Sequence, residues 1–334
     1  MPPTVHILGA GGIGIAAAAG LVQSGWVVTM VESNPAKVLA GARDGMRIGD
    51  GPAMRVPFVA FEAWRPAPDT VVLLCTKTFD NAAVLARLPA TPLLVPIQNG
   101  YDPQLDALDH PCEAIASFVS ACPADRPEAR ITRAGALHIG ARRKADARQR
   151  ERMSTLAAAI GASRLFPVHP VDDVRPYKAA KLMYNAAISP LAASAGVDNA
   201  ALLTDPLANR LFFALLLENH AILRHAGVPL ARIGPFHPDV VARILRTPLL
   251  PQLMSHFFRP SLRGTYCSMA PDMGSGRTEM DAYNGHLVRI AGDLPCPINR
   301  AVIDLVDRIS RERLTPAHRH LRDLADTLPP GTLA

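Results

Sequence analysis

The strongest constraint on this chain stands near its start. Gly9-Ala10-Gly11-Gly12-Ile13-Gly14 follows the short apolar run Val5–Leu8 and opens a small-residue stretch, Ile13–Gln23. A G-x-G-x-x-G pattern alone says little, but between a strand and a helix each glycine has a physical task. Gly9 permits a tight turn, Gly11 lets the backbone approach a pyrophosphate, and Gly14 lets helix and strand pack closely. The helix that begins here presents unpaired N–H groups and a positive dipole end to phosphates. Gly9, Ala10, Gly11, Gly12, Ile13 and Gly14 are therefore read as a dinucleotide-binding turn. A second strand, Val27–Val31, leads to Glu32, a place from which an acid bonds the adenosine ribose hydroxyls of NAD. Glu32 can equally face solvent at a strand end. The next residues, Ser33-Asn34-Pro35-Ala36, offer no arginine for a 2′-phosphate, and the nearest cation is Lys37.

The rest of the first half keeps this alternation. Pro35–Arg43 reads as helix, Val71–Cys75 as strand, Phe79–Leu88 as helix and Pro92–Ile97 as strand, which predicts a parallel sheet wrapped by helices. Past Pro111 the runs lengthen: strands are expected over Ala114–Val119 and Ile131–Ile139, a helix over Ala145–Ile160 and a strand over Arg164–Val168. After Pro167-Val168-His169-Pro170 helical periodicity takes over, in Pro176–Ser194, Pro206–Ala226, Pro238–Arg246, Glu279–Asp293 and Asn299–Arg311. The expected fold is α/β: a Rossmann-type parallel-sheet N-terminal domain over residues 1–169 and an all-α C-terminal domain over 170–330, with a cleft between them. Leu211, Phe212, Phe213, Leu215, Leu216 and Leu217 form either core or a dimer interface, core by default. Monomer and homodimer both stay open.

Composition narrows the partners. At 334 residues, with 49% hydrophobic and 19% charged, the chain has the balance of two ordinary globular domains. The net charge of +6 forms no stripe. Its densest run, Arg142-Arg143-Lys144 with Arg148, Arg150 and Arg152, is broken by Asp146 and Glu151. That reads as a solvated helix face rather than a nucleic-acid footprint, and the mild positive balance suits an anionic small ligand. Cys75, Cys112, Cys122, Cys267 and Cys296 show no C-x-x-C pair and no metal-ligand spacing. Reduced thiols, no metal and a cytoplasmic location are expected. The first residues show no signal-peptide pattern. The apolar stretch Ile7–Val31 contains six glycines, too many breaks for a membrane span.

Five further segments share one order. They are Thr76-Lys77, Gln98-Asn99-Gly100, the run Lys181-Leu182-Met183-Tyr184-Asn185-Ala186-Ala187-Ile188-Ser189-Pro190-Leu191, Ser268-Met269 with Asp272, and Gly276-Arg277-Thr278-Glu279-Met280-Asp281 leading into Asn284-Gly285. With the glycine turn, this order resembles the ketopantoate reductase (2-dehydropantoate 2-reductase) family, from about residue 4 to about residue 310. The resemblance implies a Rossmann domain followed by a helical one. It also implies NADPH-dependent reduction of a small 2-oxo acid, 2-dehydropantoate, to (R)-pantoate in pantothenate biosynthesis.

Reducing a ketone by hydride requires an acid that protonates the developing alkoxide. Lys181 has Asn185 at i+4, on the same helix face. On spacing alone Lys181 is an ordinary surface lysine, like Lys178 one turn earlier. The matching motif makes it the general acid and sets Asn185 on a substrate hydroxyl or carboxylate. Lys77 and Asn99 follow consecutive strands at their carboxyl ends, where open α/β sheets bind ligands. Lys77 would hold cofactor phosphate or ribose, and Asn99 would bridge nicotinamide ribose and substrate, unless each is only a loop residue. By the same resemblance Ser268 binds the substrate carboxylate, and Glu279 joins Lys181 in the catalytic pair by holding its ammonium in place. Otherwise Glu279 is a helix N-terminal acid stabilised by the dipole. Asp272 and Asn284 read as structural.

Three departures from the family pattern matter. Ser189, in the substrate-contacting segment, stands where asparagine is common, which admits a different 2-oxo acid. The stretch from Ser268 to Glu279 is one residue short. Glu32 stands where NADPH users place a neutral or basic group, so the acid pulls toward NADH while the family pulls toward NADPH. A non-catalytic dinucleotide-binding sensor is the alternative of another class. Lys181, Asn185, Ser268 and Glu279 together speak against it, since cofactor binding alone does not require them.

Overall fold

Predominantly apolar strands and the small-residue helix after the glycine turn build the start of the chain. A computed structural model describes residues 2–333 except 69, 89–92, 109, 144, 248 and 249, with backbone only at 250–253 and 261. Two compact units result, Met1–Gln98 with Asp102–Val174, and Asn99–Tyr101 with Arg175–Ala334.

The first unit opens with β1 (Thr4–Leu8), α1 (Gly12–Gln23), β2 (Val27–Glu32), α2 (Pro35–Asp44), β3 (Arg47–Ile48) and β4 (Phe58–Ala60). It continues through β5 (Val71–Leu74), α3 (Asn81–Leu85), β6 (Leu93–Pro96) and α4 (Pro103–Ala107). Five strands pair in parallel in the order β4-β2-β1-β5-β6; the alternation predicts β1, β2, β5 and β6 but not the short edge strand β4. β5 and β6 are buried at every residue, as a parallel sheet covered on both faces requires. Alternate side chains feed opposite faces. Val5, Ile7, Val71 and Leu73 join one core, together with Ile15, Ala16, Ala18 and Leu21 of α1. Leu8, Val72, Leu74 and Leu94 join another, around Trp64. The second core is closed by the Trp64 indole, which donates to His6 Nδ1 at 3.0 Å.

Beyond α4 come β7 (Cys112–Ala116), β8 (Val119–Ala121), β9 (Glu128–Arg133), β10 (Leu137–Ala141), α5 (Ala147–Gly161) and β11 (Val168–Val171). They form two three-stranded sheets, β11-β10-β7 and β3-β9-β8, each mixing parallel and antiparallel pairs. Three sequence expectations are corrected here. The single strands expected over Ala114–Val119 and Ile131–Ile139 are each broken in two. At the break, Ser117 donates its N–H to the Ala136 carbonyl at 2.7 Å, and its hydroxyl accepts the Ala136 N–H at 2.8 Å. The strand expected over Arg164–Val168 begins only at Val168, because Arg164 is left-handed at φ 55°. Pro170 is tolerated in β11 because that strand lies at a sheet edge.

Helix ends follow local rules. Asn34 caps α2 with Pro35 in its first turn, and Asp146 with Gln149 forms a capping box on α5. The helix expected over Phe79–Leu88 is shorter, a 3₁₀ turn at Thr78–Asp80 followed by α3. Pro92, expected to begin a strand, lies outside the described residues, as does Lys144. Arg148, Arg150 and Arg152 are exposed on α5, the solvated face expected of that basic run, but Arg142 lies before the helix, is half-buried and pairs with the buried Glu113 at 3.2 Å.

The second unit holds α6 (Arg175–Ala195), α7 (Pro206–His225), α8 (Pro238–Leu245), α9 (Leu250–Leu262), α10 (His286–Ala291), α11 (Pro297–Glu312) and α12 (Arg319–Thr327). Among its described residues there is no strand. Its core takes Leu182, Met183, Leu211, Leu215, Leu287 and Val302, so the apolar side of α7 is core, the default reading. Glu218 of α7 accepts the N–H groups of Ile298 and Asn299 at 3.1 and 2.8 Å and so caps α11 from a distance. Burial pushes its carboxyl group up. The helix expected over Glu279–Asp293 is interrupted: a π-type turn at Asp281–Gly285 precedes α10. Among the described residues no helix is long and apolar enough to cross a membrane.

Candidate active site

Steric requirements at the glycine turn separate structural from ligand-facing positions. Gly9 has φ +95°, and a Cβ there would stand 3.0 Å from the Cys75 carbonyl oxygen. At Gly14 a Cβ would collide with the Gly9 carbonyl oxygen and press on Ile7 Cγ2 at 3.2 Å, which is the close helix–strand packing expected. Gly11 differs, since a Cβ built on it meets nothing within 4 Å. Its backbone is open to a ligand. Gly11 caps α1 without a side chain, and the first turn of the helix itself carries no acid to compete for those N–H groups. Gly12 abuts Ser120, while Ile13 packs on the core. The turn fits a dinucleotide pyrophosphate.

Glu32 ends β2 and is half-buried, its Oε1 accepting the N–H groups of Ser33 and Asn34 at 2.8 and 3.0 Å. Its Oε2 accepts the N–H of Ala10 at 3.1 Å. Lys37, the nearest cation in sequence, is 8% exposed with Nζ 3.9 Å from Cys122 Sγ. The Cys122 thiol in turn donates to the Ala10 carbonyl at 3.5 Å.

Lys77 is half-buried and precedes the 3₁₀ turn at Thr78–Asp80. The strand ends around it are laced by amides. Gln98 Nε2 donates to the Thr76 carbonyl and to Asn81 Oδ1, both at 2.8 Å, while Asn81 Nδ2 donates to Asp102 Oδ2 at 2.6 Å. Asn81 is fully buried and was not singled out by sequence. A polar residue at a helix start gives no sign of such distant partners.

Along α6, Lys181 and Asn185 are half-buried and Ser189 is 2% exposed. The sequence reading of Lys178 as an ordinary surface lysine is corrected. It is 4% exposed, with Nζ 4.7 Å from the Tyr101 ring centroid. Tyr101 stacks on His286 at 4.1 Å and 8°. Pro190 lies inside α6 and has no N–H for the Ala186 carbonyl. Asn284 Nδ2 fills that role at 2.9 Å, the structural part expected of it. One turn on, the Cys267 thiol donates to the Ser189 carbonyl at 3.4 Å. The segments bearing Ser268 and Glu279 therefore fasten to one stretch of α6, the helix that carries Lys181, Asn185 and Ser189. Glu279 is 3% exposed, and the Tyr283 hydroxyl donates to its Oε2 at 3.1 Å. Asp272 ends a short 3₁₀ turn, Ala270–Asp272, rather than lying in a loop, and its carbonyl accepts from Ser275. The six residues Asn99, Lys181, Asn185, Ser189, Ser268 and Glu279 all belong to the second unit, and the glycine turn, Glu32 and Lys77 to the first.

A glycine turn open to a pyrophosphate and a buried acid beside a lysine-bearing helix define the class, a nicotinamide-dependent oxidoreductase. The chain belongs to the ketopantoate reductase family. Residues 5–144 match the family model described as ketopantoate reductase PanE/ApbA, and residues 173–310 match that of its C terminal part. Over 324 residues it is 25% identical to a 2-dehydropantoate 2-reductase of Halobacterium salinarum, covering 92% of this chain and 99% of that one. Among solved structures it is similar to a PanE/ApbA family ketopantoate reductase from Ralstonia eutropha, with 26% identity, a TM-score of 0.73, and 93% and 100% of the two chains covered. A D-mandelate dehydrogenase solved with NADH shares the fold at 17% identity and TM-score 0.72, with 92% and 99% covered.

Proposed function

We propose that this chain reduces 2-dehydropantoate to (R)-pantoate with NADH, residues 1–169 taking the dinucleotide and 170–330 the substrate. The observation that carries this reading is the attachment of the Ser268 and Glu279 segments to the α6 stretch between Ala186 and Ser189. It gathers an acid, a hydroxyl, an amide and a lysine on one framework.

When bound, the reduced nicotinamide supplies the hydride for the C2 carbonyl. Lys181 supplies the proton from its ammonium to the carbonyl oxygen as charge develops there. Glu279 holds that ammonium in place. Asn99 and Asn185 orient the substrate through their amides, and Ser268 meets its carboxylate. Gly11 and the N–H groups that open α1 receive the pyrophosphate. Glu32 favours NADH, because its charge repels a 2′-phosphate. Lys77 takes cofactor phosphate or ribose.

Ser189 favours a second reading, in which the substrate is another 2-oxo acid without the hydroxyl that a longer amide would bind. Steady-state kinetics decide between them. Wild type should turn over 2-dehydropantoate with a kcat/KM about tenfold higher for NADH than for NADPH, since one repelled charge at partial exposure is worth about 1.4 kcal/mol. Lys181→Ala should lose about 10²- to 10⁴-fold in kcat. No turnover of 2-dehydropantoate, with turnover of an unhydroxylated branched or aryl 2-oxo acid, would establish the second reading instead.

A further inference from the structure

We propose that Tyr283 is a positioning residue of the reductase site: its phenol fixes the Glu279 carboxylate and couples it to Ser268, and its ring seats the segment that carries Asn99. The proposal rests on the reading of Glu279, Ser268 and Asn99 as substrate-site residues.

Tyr283 is fully buried in the π-type turn at Asp281–Gly285. Its Oη lies 3.1 Å from Glu279 Oε2 and 3.4 Å from Ser268 Oγ. A phenol has one proton, and a carboxylate can only accept. The Tyr283 proton therefore goes to Glu279, and in the longer contact Ser268 is the donor. The hydrogen bonds run in one direction, from Ser268 through Tyr283 to Glu279. Burial and the negative charge of Glu279 push the phenol well above its ordinary value, so Tyr283 keeps its proton at working pH.

The ring makes the third connection. Gly100 has φ +77°, and a Cβ there would stand 2.7 Å from Tyr283 Cδ1 and 2.8 Å from the Ala282 carbonyl oxygen. The same carbonyl accepts the Tyr101 N–H at 2.9 Å. Asn99-Gly100-Tyr101 thus lies directly on Ala282-Tyr283, and glycine is what permits the approach. The widened turn brings these groups together: Gly285 donates to the Met280 carbonyl at 3.0 Å, five residues back. Turns of this kind are concentrated at functional positions. Asn284, the next residue, fastens the turn to the Ala186 carbonyl of α6. A tyrosine here does more than fill the core, since phenylalanine would fill it equally.

Double-mutant cycles on the full chain test this with two readouts, unfolding free energy and kcat/KM for 2-dehydropantoate. Tyr283→Phe keeps the ring and removes the hydroxyl, and it should lower kcat by about ten- to a hundredfold while leaving KM for NADH unchanged. In combination with Glu279→Gln it should cost nothing beyond Glu279→Gln alone, because Tyr283 acts through that carboxylate. Ser268→Ala, alone and with Tyr283→Phe, runs the same cycle on the other arm and serves if one single variant folds poorly. Non-additive kinetics in either cycle support the proposal. Additive kinetics, or a Tyr283→Phe variant with wild-type kcat, overturn it. If wild type turns over no 2-oxo acid the proposed function falls, and the stability cycle between Tyr283 and Glu279 still decides the bridge: coupling supports it, additivity overturns it.

Discussion

The carboxylate of Glu32 accepts the backbone N–H of Ala10, with Oε2 and N 3.1 Å apart, so the acid that ends β2 is tied to the turn that opens α1. The same group therefore organises the turn and places a negative charge beside it. Glu32→Gln keeps an acceptor for Ala10 and removes the charge. It should shift the NADH-to-NADPH ratio of kcat/KM about tenfold toward NADPH, the worth of about 1.4 kcal/mol. Parallel titrations with both cofactors at saturating 2-oxo acid measure this, and an unchanged ratio would remove Glu32 from cofactor selection.

Gly11 and Gly14 separate ligand from fold. A side chain at Gly14 strikes the Gly9 carbonyl, while one at Gly11 meets no protein atom within 4 Å. Gly14→Ala should cost about 2 kcal/mol or more of stability through overpacking. Gly11→Ala has an ordinary backbone conformation, φ −88°, and should cost less than about 1 kcal/mol. It should nevertheless weaken NADH binding about tenfold or more, or about 1.4 kcal/mol. Thermal melts with NADH fluorescence titration separate the two, and a Gly11→Ala variant with wild-type affinity would mean that no phosphate approaches there.

What the sequence made legible was local. The glycine turn, the alternating strands of the parallel sheet and the long helices α6, α7 and α11 follow from periodicity and turn chemistry that a few neighbouring residues carry. The misses were set by distant partners. Ile131–Ile139 reads as one strand, and its division at the pairing of Ser117 with Ala136 rests on a partner distant in sequence. Glu279–Asp293 has helical periodicity, which cannot show that its first part widens into a π-type turn. Lys178 resembles any helix-surface lysine until Tyr101 is placed beneath it. Tyr283 was not singled out by sequence, since nothing in the residue pattern reveals that its hydroxyl lies between Glu279 and Ser268.

Asn284 and Pro190 act on one carbonyl. Pro190 leaves the Ala186 oxygen without its helical donor, and Asn284 Nδ2 supplies one while also bonding Asn299 Oδ1 at 2.8 Å. Asn284→Ala strands both acceptors in the core and should cost about 2–3 kcal/mol. Pro190→Ala restores an N–H at position 190 for the Ala186 carbonyl. In that background the cost of Asn284→Ala should fall by about 1 kcal/mol. Urea denaturation of the four proteins gives the coupling, and strict additivity would show that the two residues do not share the carbonyl.

Two histidines held low in the folded chain, the buried His138 and the half-buried His286, weaken the fold toward acid pH. Burial holds His286 down to about 4, with Arg289 and Lys178 pressing the same way and Asp281 opposing. His138 is likewise held to about 4, by burial and by His169. Both are neutral in the folded chain at pH 6 but gain a proton on unfolding below about 6.5. The unfolded state therefore binds more protons in this window. Stability is full above about pH 6.5, falls as pH drops from there toward 4, and loses at most about 3 kcal/mol per histidine. His286→Phe keeps a ring against Tyr101 and removes the titration. Urea unfolding at pH 7.5 and pH 5 should show a smaller pH-dependent loss in this variant than in wild type. Equal losses in the two proteins would mean that His286 does not titrate between those limits.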